Sequence, residues 1–182
     1  MTRFMDILLS LSGLVLLTPV WLVLIVIGYF DTRSPLFRQT RVGRHQRPFV
    51  LVKFRTMRLG TASVPSHLAK SSAITPLGAL LRRTKLDELP QLWNVLLGDM
   101  SLVGPRPGLF NQHELTAARD AQGVFAARPG ITGLAQVNGI DMSTPELLAQ
   151  TDAQMLGELD VANYFRLIVL TVLGKGTGDA VR

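Results

Sequence analysis

The stretch ILLSLSGLVLLTPVWLVLIVIGYF, residues 7–30, runs for 24 consecutive positions without a charged residue. As a helix rising about 1.5 Å per residue, it is long enough to cross a hydrocarbon layer roughly 30 Å thick. A buried helix of a globular core is usually shorter, and a cleaved signal peptide has a shorter apolar region that ends in small residues. This run ends in Gly28-Tyr29-Phe30-Asp31 instead. The sequence therefore predicts a membrane-embedded segment that stays in the mature protein.

Thr18 and Pro19 stand at the middle of this apolar run. Proline lacks the backbone N–H that continues a helix, so a kink is expected there. Each half then reaches only to about the middle of a bilayer and could return to the side it came from. Basic residues flank both ends, Arg3 before and Arg33 after, as expected if both ends face the cytoplasm. A re-entrant hairpin and a kinked spanning helix both remain compatible with these residues.

The chain carries a formal charge of +6, and its basic residues are concentrated in one interval. Between Asp31 and Asp87 there is no acidic residue, yet 12 of the 19 Lys and Arg lie there. Interleaved aromatics such as Phe37 and Phe49 would suit stacking on nucleic acid. Because the interval directly follows the apolar run, with Arg38 and Arg41 near its start, a patch facing anionic membrane lipid is the favoured interpretation.

Composition limits the chemistry that the chain can perform. With 182 residues and 47% hydrophobic content, the chain is the size of one domain with a core of its own. It has no Cys, which excludes disulfide frameworks, thiolate zinc sites and Cys nucleophiles. Its three His are widely separated, which argues against a Ser-His-Asp triad. Carboxylates, Arg and Lys remain as the reactive groups.

Local patterns predict an α/β fold that is mostly helical with a small sheet. Alternating polarity and β-forming residues predict a strand hairpin, and Pro76 fits the start of a short helix. The predicted strands are 36–43 and 49–55 around a turn at 44–46, and the predicted helices are 76–83, 87–97, 111–127 and 144–163. The apolar stretch 164–173 is too short to span a membrane and is predicted to lie in the interface, whereas the small, polar residues 60–72 predict a mobile loop.

Asp87 and Glu88 form the densest chemical motif, because they closely follow the cations Arg82, Arg83 and Lys85. Adjacent carboxylates can hold Mg²⁺ through hard oxygen ligands while the cations attract phosphate, which suits phosphoryl transfer. The same residues have a commoner structural interpretation. With Thr84 three positions earlier, Asp87 fits a helix capping box.

Arg106 and Arg128 each lie in a turn that contains proline and glycine. One such arginine is ordinarily a surface residue. Two of them on rigid turns could present guanidinium groups to a diphosphate with little ordering cost. No Walker motif or dinucleotide-binding fingerprint occurs, so nothing supports a P-loop or Rossmann site.

Taken in order, these motifs resemble those of the bacterial sugar transferase family, the monotopic polyprenyl-phosphate phosphoglycosyl transferases. The resemblance covers almost the whole chain and includes the apolar segment with its central Pro19. The matching motifs are FRQ at 37–39, RVG at 41–43, KFRTM at 53–57, RRTKLDELPQLWNVL at 82–96, GDMSLVGPRPG at 98–108 and RPGITGLAQVNG at 128–139. The chain departs from the family after Asp160, where it lacks a Tyr-rich and Trp-containing segment before the last apolar stretch.

The resemblance implies an enzyme that moves a sugar 1-phosphate from a UDP-sugar to undecaprenyl phosphate and releases UMP. It implies that Asp87 is the nucleophile, that Glu88 is its partner, and that both serve Mg²⁺. It also implies that Asp160 is a further active-site carboxylate. The family arginines near the phosphates correspond to Arg82, Arg106 and Arg128.

The resemblance further implies a re-entrant hairpin at residues 1–31 and a catalytic domain at 32–182, on the cytoplasmic face of the bacterial inner membrane. Anionic lipids are expected partners, a homodimer is compatible with the family, and nucleic acid is not an expected partner. The alternative from another functional class is an inactive, membrane-anchored basic adaptor that binds anionic lipid or nucleic acid. The resemblance favours an N-acetylated hexosamine as the sugar, and residues 138–145 or 60–72 are candidates for selecting it.

Overall fold

The computed structural model describes residues 2–61 and 71–176, and in them the chain is mostly helical with two small sheets, which confirms the predicted fold class. The segment 60–72, predicted as a mobile loop, lies largely outside the described residues. The helices are α1 (Thr2–Leu16), α2 (Thr18–Thr32), α3 (Pro76–Thr84), α4 (Gln91–Leu97), α5 (His113–Ala121), α6 (Leu134–Val137), α7 (Pro145–Gly157) and α8 (Val161–Val172). The strands are β1 (Leu36–Val42), β2 (Pro48–Phe54), β3 (Ser101–Val103) and β4 (Gly130–Thr132).

The apolar N-terminal run is broken in its middle, as Thr18 and Pro19 predict. Helix α1 ends at Leu16 and α2 begins at Thr18, with a bend of 63° between the two helices. The Thr18 hydroxyl donates to the carbonyl of Leu14 at 2.7 Å across the break. Among the described helices, none is long and apolar enough to cross a membrane alone, whereas α1 and α2 together reach that length and composition.

Helix α1 is joined to the rest of the molecule through a buried carboxylate. Asp6 is 2% exposed, and its Oδ1 accepts hydrogen bonds from Tyr164 Oη at 2.7 Å, Leu102 N at 2.9 Å and Ser101 Oγ at 3.0 Å. Burial and the hydrogen bond to Asp6 both raise the pKa of Tyr164, so its hydroxyl remains a donor. The first helix therefore packs directly on β3 and α8.

Strands β1 and β2 form the predicted antiparallel hairpin, with Arg38 opposite Val52 and Gln39 opposite Leu51. Residues that face each other across an antiparallel pair lie on the same side of the sheet, and successive residues alternate between sides. One side carries Leu36, Arg38, Val50 and Val52, and the other carries Gln39, Arg41, Leu51 and Lys53. The first face is thus mainly apolar, whereas the second, which also carries Phe37 and Phe49, combines apolar residues with polar and charged ones.

The parallel pair of β3 and β4 was not predicted. Gly104 N donates to Thr132 O at 2.8 Å, and Gly130 N donates to Pro105 O at 2.9 Å. A Cβ on Gly130 would come within 2.1 Å of the backbone N of Gly104, so only glycine allows the two chains this close. The pairing brings the turns that carry Arg106 and Arg128 side by side at the level of the backbone.

Three predicted helices are shorter than expected. The helix predicted over 87–97 begins at Gln91, because Pro90 has no N–H and residues Leu86–Glu88 form a 3₁₀ turn instead. The helix predicted over 111–127 is α5 followed by a 3₁₀ turn at Val124–Ala126. The helix predicted over 144–163 breaks where Asp160 caps α8 by accepting from Asn163 N at 2.7 Å. The final apolar stretch is therefore part of α8 rather than a separate element.

Candidate active site

The Asp87–Glu88 pair is held on a tight turn that points it inward. At Lys85 the chain leaves α3 in the left-handed conformation, with φ of 57°, and then forms the 3₁₀ turn Leu86–Glu88. Asp87 is only 2% exposed and Glu88 only 8%. The turn packs against α3 and β2, which places both carboxylates inside the domain.

The capping-box interpretation of this pair is wrong. The Thr84 hydroxyl donates to the carbonyl of Leu80 at 2.9 Å within its own helix. No side chain caps the turn Leu86–Glu88. A capping hydrogen bond therefore does not account for the burial of the acidic pair.

Glu88 is paired with the predicted phosphate-binding residue Arg106. Arg106 Nη2 lies 3.0 Å from Glu88 Oε1, with the Glu88 side chain 9% exposed and the Arg106 side chain 24% exposed. Lys85 is close enough to Glu88 and Arg106 to interact electrostatically with both. Partial burial and the nearby Arg106 lower the pKa of Lys85, although the attraction of Glu88 acts in the opposite direction. The structure thus brings a carboxylate pair and two cations together.

Arg82, the second predicted phosphate-binding residue, lies on the last turn of α3, just before the carboxylate turn. Its Nε donates to the Thr56 hydroxyl at 2.9 Å. Thr56 is buried two residues after the end of β2, so this hydrogen bond holds the guanidinium group close to that end of the strand. Arg82 is therefore held beside the segment that leads into Asp87.

The described contacts do not bring Arg128 or Asp160 to the acidic pair. Arg128 Nε donates to the carbonyl of Gly98 at 2.8 Å, at the C-terminal end of α4, whereas Glu88 precedes the N-terminal end of that helix. Asp160 is exposed and caps α8. Their assignment to the site stays a prediction.

Three polar residues beside Arg106 were not predicted as part of the site. Arg41, Lys53 and Gln91 line a small cavity together with Arg106. Arg41 and Lys53 are each 8% exposed, and Arg41 Nη1 donates to Pro107 O at 3.1 Å. The expectation that the basic interval faces lipid is wrong for these two residues. Along the predicted strands, Arg41 and Lys53 alternate with the residues of the opposite face, which carries Arg38. That alternation is the sequence signal that could have distinguished them from basic residues facing lipid.

A buried ion pair supports the backbone that carries Arg106. Arg119 Nη2 lies 2.6 Å from Asp152 Oδ2, and the two side chains are 3% and 0% exposed. Arg119 Nη1 also donates to the carbonyl of Arg106 at 2.8 Å. Burial raises the pKa of Asp152 despite the opposing charge of Arg119. No sequence motif distinguishes these two residues, because they lie on the separate helices α5 and α7.

Whether the candidate site can bind Mg²⁺ depends on how many carboxylate ligands it offers. Within residues 2–61 and 71–176, no group of three or more His, Asp or Glu side chains converges as a metal site. Mg²⁺ is commonly bound through one or two carboxylates together with substrate phosphates rather than in a cage made entirely of protein ligands. Asp87 and Glu88 supply the two carboxylates, so the donor set fits a magnesium ion that arrives with a diphosphate.

Comparison with known proteins assigns the chain to a family. The sequence profile described as bacterial sugar transferase matches residues 1–175. The chain belongs to this family. The family membership that the sequence motifs predicted is thereby confirmed.

Several relatives of this bacterial sugar transferase have names that describe an activity. It is 38% identical to a UDP-galactose-lipid carrier transferase of Erwinia amylovora, over 93% of this chain and 39% of that protein. It is 39% identical to a UDP-glucose:undecaprenyl-phosphate glucose-1-phosphate transferase of Caulobacter vibrioides, over 97% of this chain and 70% of that protein. An exopolysaccharide production protein of Rhizobium leguminosarum is 37% identical, over 96% and 94% of the two chains. The chain thus spans about two fifths of the Erwinia protein and nearly all of the Rhizobium one.

Proposed function

We propose that this sugar transferase moves a sugar 1-phosphate from a UDP-sugar to undecaprenyl phosphate and releases UMP. The names of the Erwinia and Caulobacter relatives support the donor and acceptor classes. The observation that carries the proposal is the buried Asp87–Glu88 pair, in which Glu88 is ion-paired with Arg106 and lies near Lys85. In such an arrangement the cations can bind the diphosphate of the donor while the carboxylate attacks it.

The first stage of the proposed reaction is attack by an Asp87 carboxylate oxygen on the sugar-bearing phosphorus of the donor. The bond between that phosphorus and the bridging oxygen breaks, UMP leaves with the electron pair, and an acyl phosphate forms on Asp87. In the second stage, a phosphate oxygen of undecaprenyl phosphate attacks the same phosphorus and releases the Asp87 carboxylate. Two stages allow a water-soluble donor and a lipid acceptor to use one site in turn.

The neighbouring side chains have separate tasks in this scheme. Arg106 orients Glu88 through their 3.0 Å ion pair, and Arg82 and Lys85 add positive charge next to the reacting phosphate. The low exposure of Asp87 limits access of water, which would otherwise hydrolyse an acyl phosphate. Mg²⁺, when bound by Asp87 and Glu88 together with the donor phosphates, would neutralise charge on the departing UMP.

The decisive test is UMP release from a panel of UDP-sugars, with and without undecaprenyl phosphate. We expect turnover with both substrates, and covalent labelling of the protein by a donor with a radioactive sugar phosphate. Asp87→Asn should abolish both signals, while the matched control Asp120→Asn, which changes an exposed aspartate on α5, should retain them. Substantial turnover by Asp87→Asn would show that the nucleophile is misassigned, and an inactive adaptor would release no UMP.

We also propose that α1 and α2 enter the bilayer from the cytoplasmic side and return to it. Large apolar side chains are exposed on both helices, including Phe4 at 72%, Leu16 at 77% and Phe30 at 73%. The bend of 63° at the middle of the run supports a re-entrant path. Since the chain has no Cys, Thr2→Cys and Arg33→Cys can each be labelled singly in sealed vesicles. Labelling of both from one side is expected, and labelling from opposite sides would establish a spanning topology.

A further inference from the structure

A large apolar groove lies between the bent N-terminal helices, the apolar face of the β1–β2 hairpin and α4. It encloses about 940 Å³, near the upper end of the roughly 300–1,000 Å³ typical of small-molecule sites. Its walls include Leu14 and Trp21 from the bent helices, Val50 and Val52 from β2, and Trp93 and Leu97 from α4. None of these residues belongs to the acidic site described above.

The groove borders the candidate active site at the N-terminal end of α4. Pro90 lines the groove and lies two residues after Glu88, while the next residue, Gln91, lines the polar cavity that contains Arg106. One end of a single short helix therefore separates an apolar compartment from a cationic one.

A buried amide keeps this wall in place. Asn94 is 2% exposed, its Nδ2 donates to Val50 O at 2.8 Å, and its Oδ1 accepts from Val52 N at 3.1 Å. These two hydrogen bonds fix α4 to β2 at the floor of the groove. The space is therefore a preformed feature of the fold.

We propose that this groove holds the prenyl chain of the phosphate acceptor. The inference rests on the proposed function, which requires a lipid phosphate to travel from the bilayer to Asp87. The groove is suited to this path because helices α1 and α2, whose outer surfaces are apolar, form one of its walls. A hydrocarbon chain that enters here stays out of water up to the turn that carries the acidic pair.

The charged residues that line the groove indicate in which direction the prenyl phosphate binds. Among the described lining residues, Arg38 is the one cation and Asp99 the one carboxylate. Asp99 follows the C-terminal end of α4, so a phosphate there would meet like charge, whereas Pro90 marks the end next to Glu88. The acceptor therefore lies with its phosphate toward Pro90 and its tail toward the bent helices.

Tryptophan fluorescence reports directly on occupancy, because the two tryptophans of the chain, Trp21 and Trp93, both line the groove. The full chain in detergent is titrated with undecaprenyl phosphate, and a saturable change in emission is expected. Phosphatidylglycerol at the same concentrations should not reproduce the change. If phosphatidylglycerol produces the same saturation, the groove is a general lipid site and the proposal is overturned.

A kinetic comparison separates the groove from the chemistry. Val50 and Leu147 are each 49% exposed, but Val50 lines the groove and Leu147 lies on α7. Val50→Glu should raise the KM for undecaprenyl phosphate at least tenfold and leave single-turnover labelling by the UDP-sugar unchanged, whereas Leu147→Glu should change neither.

The outcomes keep the two proposals distinct. An unchanged acceptor KM in a Val50→Glu protein that still becomes labelled overturns the groove proposal alone. Absence of labelling and of UMP release in the unmodified chain overturns the proposed function. If Val50→Glu fails to fold, the fluorescence titration of the unmodified chain still decides the groove proposal.

Discussion

Arg106 and Arg128 occupy similar turns but have different neighbours. Arg106 is paired with Glu88, so Arg106→Ala should slow single-turnover labelling by a UDP-sugar roughly a hundredfold or more, as for loss of one charge-stabilising group. Arg128 donates to Gly98 O, so Arg128→Ala should lower the melting temperature through loss of about 1 kcal/mol and leave the labelling rate within about threefold. Arg106→Lys should recover part of the rate.

This comparison also tests the prediction from sequence that both arginines contact donor phosphates. A tenfold loss of labelling in Arg128→Ala, without any change in melting temperature, would place Arg128 at the phosphates as the sequence predicts. The sequence identified the turns correctly because proline and glycine specify them locally. The direction of each long side chain depends on partners far along the chain, and a local pattern does not contain that information.

The buried pair of Arg119 and Asp152 gives a prediction about pH. Burial raises the pKa of Asp152, and its Oδ1 is buried without a hydrogen-bond partner among the described residues. Arg119→Leu removes the charge that opposes this shift and should destabilise the protein by about 3–5 kcal/mol. Because the folded-state pKa then lies further above the unfolded value of about 3.9, stability is lost as pH rises through the folded-state pKa. We expect a lower melting temperature at pH 8 than at pH 5.

The control for this prediction is a second substitution in the same protein. Adding Asp152→Asn to Arg119→Leu removes the titrating group, so the difference in melting temperature between pH 5 and pH 8 should shrink. A pH dependence that persists unchanged in the double variant would assign it to another group.

At the scale of elements, the parallel pair of β3 and β4 positions the Arg106 turn. Gly130→Ala would place a Cβ 2.1 Å from Gly104 N, and this backbone contact cannot relax by rotation of a side chain. We expect a large drop in melting temperature and loss of labelling by the UDP-sugar. Gly157→Ala is the matched control, because a Cβ there has no neighbour within 4 Å and the residue ends α7. That control should be neutral or slightly stabilising, and equal effects of the two substitutions would contradict the proposed tight contact.

The elements that were predicted correctly are those with local signals. Alternation specified the β1–β2 hairpin, and Pro76 marked the start of α3. Strands β3 and β4 contain three residues each and pair through backbone groups of glycine-rich turns, so neither shows a strand pattern. Predicted helices ran too long where one residue interrupts them, as at Pro90 and Asp160. Periodicity averages over a window and does not register a single cap or a missing N–H.

At the scale of the whole molecule, the N-terminal helix is part of the folded core as well as the start of the apolar run. Arg3 donates to the carbonyls of Val95 at 2.6 Å and Leu96 at 2.9 Å, which closes the C-terminal end of α4. Met5 and Leu9 pack against the cluster that contains Tyr164. The apolar run therefore starts in a helix whose first turns are fixed to α4, β3 and α8.

This arrangement predicts that residues 32–182, the catalytic domain expected from the sequence, do not fold stably alone. Without Asp6, the buried hydroxyl groups of Ser101 and Tyr164 and the partly buried N–H of Leu102 lose their acceptor, and each buried group left unpaired costs about 1–3 kcal/mol. The 32–182 fragment should therefore be digested rapidly by protease and should lack a cooperative melting transition.

Two substitutions in the full chain isolate the contribution of Asp6. Asp6→Leu should lower the melting temperature markedly, because three donors, two of them buried, lose one shared acceptor. Asp31→Leu is the control from the other helix, since Asp31 is exposed and accepts from the Thr75 hydroxyl at 2.7 Å, and its effect should be small. A 32–182 fragment that melts cooperatively at the temperature of the full chain would show that α1 serves only as an anchor. In that case, the stability of residues 32–182 would not depend on α1.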